Sequence, residues 1–159
     1  MNTLTKDVYD KIKDDATFKT LTGATASDPR LYYAYPWEPK LLSSTQKAYV
    51  TYYTISGAIP PDAVHVVQEP DKTFVLDVFS NDVNQGILIQ ERLVNLLHSQ
   101  KFDSTNYLGI VMKFDGANEI LEENITDSQK NVRGSVTRIN MRFTLGPIVR
   151  KSGKFYSYR

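Results

Sequence analysis

The feature that most constrains the fold is an apolar segment at residues 73–80 that leads directly into an amphipathic helix. Apolar side chains occupy both faces of this predicted strand, interrupted by Asp77, so the strand needs cover on both sides. A helix capped by Ser80 or Asp82 and running to about His98 covers one side, because its apolar residues fill one broad arc. The other side requires a second layer or a neighbouring subunit.

The N-terminal part of the chain predicts a second helix and two strands. Apolar residues recur every four positions over 4–13, which indicates an amphipathic helix. Asp15 is placed to cap a short turn that Gly23 ends. Strands are predicted at 30–35 and 48–55, separated by a loop that contains two prolines.

Further strands are predicted in the rest of the chain. A short edge strand at 64–67 lies within a proline-rich loop, and a clearly alternating strand spans 135–145. Two more strands, at 107–114 and 117–125, flank the Asp-Gly dipeptide at 115–116, which is typical of a hairpin turn. The central strand, the long helix and strand 107–114 together resemble a βαβ crossover, which would make the two strands parallel.

This order of elements predicts an α+β fold: a single domain with a mixed, mostly antiparallel β-sheet, packed by the N-terminal helix and by one long helix at about 83–98. The chain has 159 residues, enough for a core that needs no disulfide or metal. We expect residues 1–146 to form this domain. Residues 147–159 form a basic, Tyr-rich C-terminal arm with four basic and no acidic residues, whereas the other 146 residues carry 15 basic and 18 acidic ones.

The composition excludes several kinds of site. The chain has no cysteine, which rules out disulfides, thiolate metal ligands and cysteine nucleophiles. Its net charge of +1 gives no general attraction to nucleic acid or to an anionic membrane. No segment approaches the ~18 apolar residues of a membrane-spanning helix, and Met1 to Asp15 lacks the apolar core of a signal peptide. We therefore expect no membrane contact and synthesis in the cytoplasm.

Little in the sequence indicates catalysis. His98 falls in the last turn of the long helix, where carbonyl groups favour a cation, and His65 has no serine or acidic partner at a motif spacing. No nucleophile elbow, P-loop or dinucleotide-binding glycine pattern is present. We expect no catalytic residue, no cofactor and no metal site. An alternative from another class is a small-ligand-binding or enzymatic α+β domain, with a closed pocket near His65 or Asp77. A nucleic-acid-binding module, suggested by the basic and aromatic arm, is a further alternative.

Asp77 has two interpretations, because it lies in an otherwise apolar strand. Either it is a charge at the margin of the sheet or it pairs with Arg138 or Arg142, or else it contacts a neighbouring subunit. The alternation over 135–145 directs odd-numbered residues toward the core. The residues directed outward are Val136, Arg138, Asn140, Arg142 and Thr144.

Several side chains are predicted to be available for contacts between subunits. Leu88 falls on the polar side of the long helix and Gln90 inside its apolar arc, so both depart from the helical pattern. Tyr and Trp combine apolar area with a polar group, which suits interfaces. The residues predicted to contact other subunits are Tyr33, Tyr35, Trp37, Val64, Val66, Leu88, Arg138, Arg142, Arg150, Lys151 and Tyr156.

A set of local segments follows an order found in one known group of proteins. These segments are Val8–Ile12, Phe18–Gly23, Leu31–Pro36, Ala48–Tyr52, Phe74–Ser80, Leu93–Leu97 and Ile139–Phe143. Together they resemble the tail completion or tail terminator (head-tail joining) proteins of long-tailed phages, the siphophages. The resemblance covers about 5–146 and consists of hydrophobic patterns, with no invariant motif.

The resemblance implies a structural virion protein without catalytic residues or cofactors. Such a protein forms a homo-hexameric ring that caps the tail tube, ends tube polymerisation and provides the docking surface for the head. Its implied partners are other copies of itself, the major tail tube protein and a head completion or neck protein, while DNA passes through the lumen without sequence-specific binding. The implied location is the head-tail junction of the virion, after assembly in the host cytoplasm. A head-side neck or head-closure adaptor is the alternative within this class.

Overall fold

The computed structural model describes residues 3–34, 42–56, 68–69, 72–102, 110–126, 132–146 and 148–149. In these residues, helices lie on one face of a six-stranded mixed sheet, and a separate pair of short strands forms a second sheet. The chain is one compact α+β domain, so the predicted fold class is confirmed. No helix of the described residues has the length and apolar character needed to span a membrane.

The order of elements follows the predicted order closely. The elements are α1 (Thr3–Lys13), α2 (Ala16–Thr22), β1 (Leu31–Tyr33), β2 (Ala48–Ser56), β3 (Gln68–Glu69), β4 (Lys72–Ser80), α3 (Val83–Leu97), β5 (Lys101–Phe102), β6 (Ile110–Thr126), β7 (Val132–Gly146) and β8 (Ile148–Val149). The large sheet has the order β1-β2-β4-β7-β6-β5, with β1 parallel to β2 and the other neighbours antiparallel. β3 pairs with β8.

The helices begin and end where the capping residues predict. The Asp15 carboxylate accepts a hydrogen bond from the Phe18 N–H at 2.7 Å, and Gly23 ends α2 in the left-handed conformation with φ 75°. Asp82 caps α3 by accepting from the Gln85 N–H at 2.7 Å. The buried core lies between the helices and one face of the large sheet, where β4, β7 and α3 contribute most of it.

The predicted hairpin at 115–116 is wrong. β6 continues through both residues, and its register against β7 passes from Phe114↔Phe143 to Gly116↔Arg142. Asp115 is therefore the extra residue of a β-bulge. Gly116 has φ 142°, a conformation that glycine adopts without steric cost, so the strand absorbs the extra residue without turning. The predicted strand 117–125 is the second half of β6.

The predicted crossover is only partly right. β4 and β6 run in the same direction, as predicted, but β7 lies between them and pairs antiparallel with both. Strands β3, β5 and β8 were not predicted. β8 shows that the predicted arm enters the small sheet at Ile148–Val149. The predicted edge strand at 64–67 lies outside the described residues.

Candidate subunit-interface surfaces

Side chains that point away from the helices form what we call the outer face of the large sheet. The strand register arranges them in rows that cross β2, β4 and β7. Neighbouring strands lie ~4.8 Å apart, so side chains within a row are in contact range. The rows are Tyr49–Phe79–Arg138, Thr51–Asp77–Asn140, Tyr53–Val75–Arg142 and Ile55–Thr73–Thr144, the last of which Lys113 of β6 extends.

The first row of the outer face is buried. Tyr49 and Phe79 stack with their ring centroids 4.8 Å apart, and the Arg138 guanidinium lies 5.6 Å from the Phe79 centroid. Val136 belongs to the same buried cluster and is 4% exposed, so a residue predicted to point outward is buried on the outer face. Leu42, from the segment that precedes β2, packs against this cluster, so this end of the outer face is covered by the chain itself.

Asp77 is fully buried in the second row. Its carboxylate accepts hydrogen bonds from the Arg138 NH2 group at 3.0 Å and from the Asn140 Nδ2 at 2.7 Å. The predicted ion pair with Arg138 is confirmed, and no ion pair between Asp77 and Arg142 is found among the described residues. Because both carboxylate oxygens are engaged within the chain, the described geometry of Asp77 is that of a structural ion pair.

The last two rows of the outer face carry exposed side chains at their ends, although Val75 in the third row is buried. Ile55 is 53% exposed and Val111 of β6 is 44% exposed. Lys113 and Arg142 are exposed beside them, and neither cationic group has a hydrogen-bond or ion-pair partner in the part of the chain that the structure describes. We call Ile55, Val111, Lys113 and Arg142 the sheet patch. Of these four residues, arginine is the type enriched in protein interfaces.

Arg142 also borders a concave site at the bulge. This site has a volume of about 190 Å³ and is lined by Asp115, Gly116, Asn118 and Asn140, together with Ala117. The Asp115 carboxylate accepts a hydrogen bond from the Thr144 hydroxyl. The bulge thus leaves a polar hollow next to a free guanidinium, on the exposed end of the sheet.

The opposite side of the molecule carries the exposed face of α3. At about 100° per residue, Asn84, Leu88, Glu91 and Asn95 lie within about 60° of one another, on the side of the helix opposite its buried residues. Leu88 is 48% exposed. A concave site of about 310 Å³ adjoins this stripe and is lined by Gln90, Glu91, Val94 and Asn95. We call Leu88 and this concave site the helix patch; it includes Leu88 and Gln90, the two residues that depart from the helical pattern.

The edge strand β1 presents an aromatic side chain to solvent. Tyr33 is 63% exposed and packs edge-on against Tyr52, with ring centroids 5.5 Å apart. Arg30 and Ala34 have φ of 54° and 53°, so the chain bends away on both sides of β1. Tyr32 donates its hydroxyl hydrogen bond to Asp28, and burial together with this bond raises the pKa of Tyr32 to about 12. β1 is therefore a short edge strand, tied to the preceding turn by the Tyr32–Asp28 hydrogen bond.

Comparison with known proteins identifies the fold. No protein-family model matches the sequence, and no curated protein does. Among solved structures, a chain from the virion of the native gene transfer agent (GTA) particle matches with a TM-score of 0.55, over 90% of this chain and 91% of that chain, at 17% sequence identity. The chain shares its fold with a component of that virion. At this level of identity, the likeness concerns the fold.

The described residues contain only part of the predicted interface set. Tyr33, Leu88 and Arg142 are exposed, whereas Arg138 is half-buried against Phe79 and Asp77. The remaining predicted residues lie outside the described part of the chain, and so does His65; they are Tyr35, Trp37, Val64, Val66, Arg150, Lys151 and Tyr156.

Sequence reasoning missed three residues of the sheet patch and the role of His98. Ile55 and Val111 are apolar residues on the strand faces away from the helices, and their spacing does not show where that face lacks cover. Lys113, between two apolar residues of β6, was the available signal for an exposed face. The His98 Nδ1 accepts a hydrogen bond from the Phe114 N–H at 3.0 Å, which joins the end of α3 to β6.

Proposed function

We propose that this protein is a structural component of a phage-like virion, where it forms a ring at the head-proximal end of the tail tube. The observation that carries the proposal is the fold shared with a chain of the GTA virion over 90% of this chain. The sequence patterns that resemble tail terminators support the same assignment. In this role the ring ends tube polymerisation and provides the docking surface for the head.

The polar groups in the described structure support a protein without catalysis. Asp77 is held by Arg138 and Asn140. Asp15 caps α2 and binds Arg92, whose Nε lies 3.0 Å from the Asp15 Oδ2. Each of these carboxylates is therefore used to connect elements. We propose that the protein works through its surfaces and needs no cofactor.

The proposed partners follow from the position at the end of the tube. Other copies of the chain form the ring, which we propose to be hexameric, and the major tail tube protein lies beneath it. A head completion or neck protein binds the opposite side. DNA passes through the lumen without sequence-specific contacts.

The test is the length of tail tubes assembled in vitro. Tube protein from the same virion is polymerised with and without this chain, and lengths and end density are measured by electron microscopy. We expect tubes that stop growing and carry extra density at one end. An unrelated protein of similar size and charge is the control. Tubes of unchanged length with bare ends contradict the proposal. If the protein is then mixed with heads from the same virion and binds them, it is a neck adaptor instead.

A further inference from the structure

We propose that neighbouring copies in the ring meet through the two patches: the Arg142 side chain of one copy enters the concave site beside Glu91 on α3 of the next. This inference rests on the proposed ring and adds the contact that builds it. It uses the described surfaces that neither the core nor the buried ion pairs explain.

The helix patch has the shape and chemistry to receive a long cationic side chain. Among the described residues, its concave site of about 310 Å³ is lined by the carboxylate of Glu91, the amides of Gln90 and Asn95, and the apolar side chain of Val94. An arginine has an apolar stem and a planar charged end, so its stem fits against Val94 and its guanidinium can bind Glu91. Glu91 makes no ion pair within the described residues. Leu88 adds exposed apolar area beside it.

The sheet patch supplies the complementary surface. Arg142 is exposed and unpaired among the residues that the structure describes. Lys113 lies diagonally across from it, since it pairs with Thr144, two residues along β7. Ile55 on β2 and Val111 on β6 add exposed apolar area on either side of these cations. In the proposed contact, Arg142 and Lys113 of one copy therefore lie opposite Glu91 of the next copy, and exposed aliphatic side chains lie opposite Leu88.

Charge complementarity favours a second copy of this chain as the occupant. The helix patch lies on the side of α3 opposite the sheet, and the sheet patch lies on the side of the sheet opposite the helices. A symmetric dimer through either patch alone would bring like charges together, Glu91 against Glu91 or Arg142 against Arg142. Pairing of one patch with the other removes this repulsion and gives a head-to-tail contact, which closes into a ring when the rotation between neighbouring copies fits the ring and extends as a filament when it does not.

The experiment uses charge reversal in the full chain. Glu91→Arg and Arg142→Glu each place like charges across the contact, so each variant alone should associate at least about tenfold more weakly than the wild type. Mixing the two variants should restore association. In the mixture, the helix patch of the Glu91→Arg variant, now positive, meets the sheet patch of the Arg142→Glu variant, now negative. The unaltered Glu91 of the second variant meets the unaltered Arg142 of the first. Association is measured by sedimentation velocity and by native mass spectrometry, which should find the two variants in equal numbers.

Lys19→Glu is the matched control, because Lys19 is an exposed residue of α2 in neither patch. Thermal melting shows that each variant is folded. Unchanged association of either single variant, or a mixture that stays dissociated, overturns the contact. The same variants are also compared in the tube assay, because copies that associate only on the tube end would not be detected in solution. If the wild type caps tubes and both variants still cap them, the contact is overturned and the proposed function stands. If the wild type does not cap tubes, the proposed function is contradicted.

Discussion

The carboxylate of Asp77 lies in the middle of the large sheet, where transfer from water is costly. Two donors from β7 offset this cost: the Arg138 NH2 at 3.0 Å and the Asn140 Nδ2 at 2.7 Å. The Arg138 guanidinium also lies over the Phe79 ring. A buried ion pair contributes little net stability compared with apolar residues of the same size, but removal of one member leaves the other without its partner. Asp77 thus ties β4 to β7 in one register.

Asp77→Ala is expected to lower the free energy of unfolding by about 2–4 kcal/mol, because it leaves a half-buried guanidinium without its carboxylate. Urea unfolding measures the change. Asp115→Ala is the matched control, since Asp115 is an exposed carboxylate on the same face, and its loss should cost about 0.5 kcal/mol or less. Equal effects of the two substitutions would show that the buried pair does not stabilise the sheet.

Asp15 joins α2 to α3, and its ionisation should make stability depend on pH. The hydrogen bond from Arg92 holds the pKa of Asp15 below its ordinary value of 3.8, and the Phe18 N–H acts in the same direction. A carboxylate with a lowered pKa stabilises the folded state above its unfolded pKa. That stabilisation is lost as the pH falls below about 4 and Asp15 becomes protonated.

Asp15→Asn isolates this contribution, because asparagine is an equally good helix cap but cannot ionise. We expect the wild type to be more stable than the variant at pH 7, and the difference to shrink between about pH 4 and pH 2. Urea midpoints across this range measure it. Other acidic groups titrate alike in both proteins and cancel. A difference that stays constant down to pH 2 would contradict the ion pair.

At the scale of elements, the bulge in β6 is a feature that the local sequence alone does not determine. An Asp-Gly pair suits a hairpin turn and also suits a bulge, because both need glycine in a conformation that other residues avoid. The choice depends on β7, which pairs with β6 on both sides of the bulge. That pairing joins residues far apart in sequence, so no local pattern contains it.

Gly116→Ala tests the bulge. Gly116 has φ 142°, and a Cβ built there meets no atom within 4 Å, so the cost is backbone strain without a steric clash. We expect a loss of about 1 kcal/mol or more in the free energy of unfolding, with an unchanged circular dichroism spectrum. Asn118→Ala, two residues along the strand and exposed, is the control and should change stability by less than about 0.5 kcal/mol. No loss in Gly116→Ala would indicate that the bulge is absent in solution.

The elements that the sequence predicted well are those held by local signals. Asp15, Gly23 and Asp82 determine helix ends by bonds within a few residues, and β2 and β4 are rich in β-branched and aromatic residues. The insertion of β7 between β4 and β6 was not predictable in this way. The same holds for β3 and β8, whose two residues each are too short to show any period.

At the scale of the whole molecule, the exposed surfaces were predicted in part. Leu88 was identified because a leucine on the polar side of a helix departs from a regular pattern. Ile55 and Val111 were not, since their exposure depends on where the cover of the outer face ends, which is a tertiary property. The buried row at Tyr49 and Phe79 and the open row at Ile55 belong to the same strands. One sheet face therefore serves both as core and as candidate interface.

Alanine substitutions of Leu88 and Leu93 distinguish an effect on assembly from an effect on folding, because both residues are leucines of α3 and differ in burial. Leu93 is fully buried, so Leu93→Ala should cost about 2–5 kcal/mol of stability. Leu88 is 48% exposed, so Leu88→Ala should leave the free energy of unfolding within about 0.5 kcal/mol of the wild type. Loss of its exposed apolar area should weaken association by about fivefold, because ~1 kcal/mol of burial disappears from each contact. Urea unfolding of the monomer and sedimentation velocity measure the two quantities. A destabilised monomer with unchanged association would place Leu88 in the core and remove it from the helix patch.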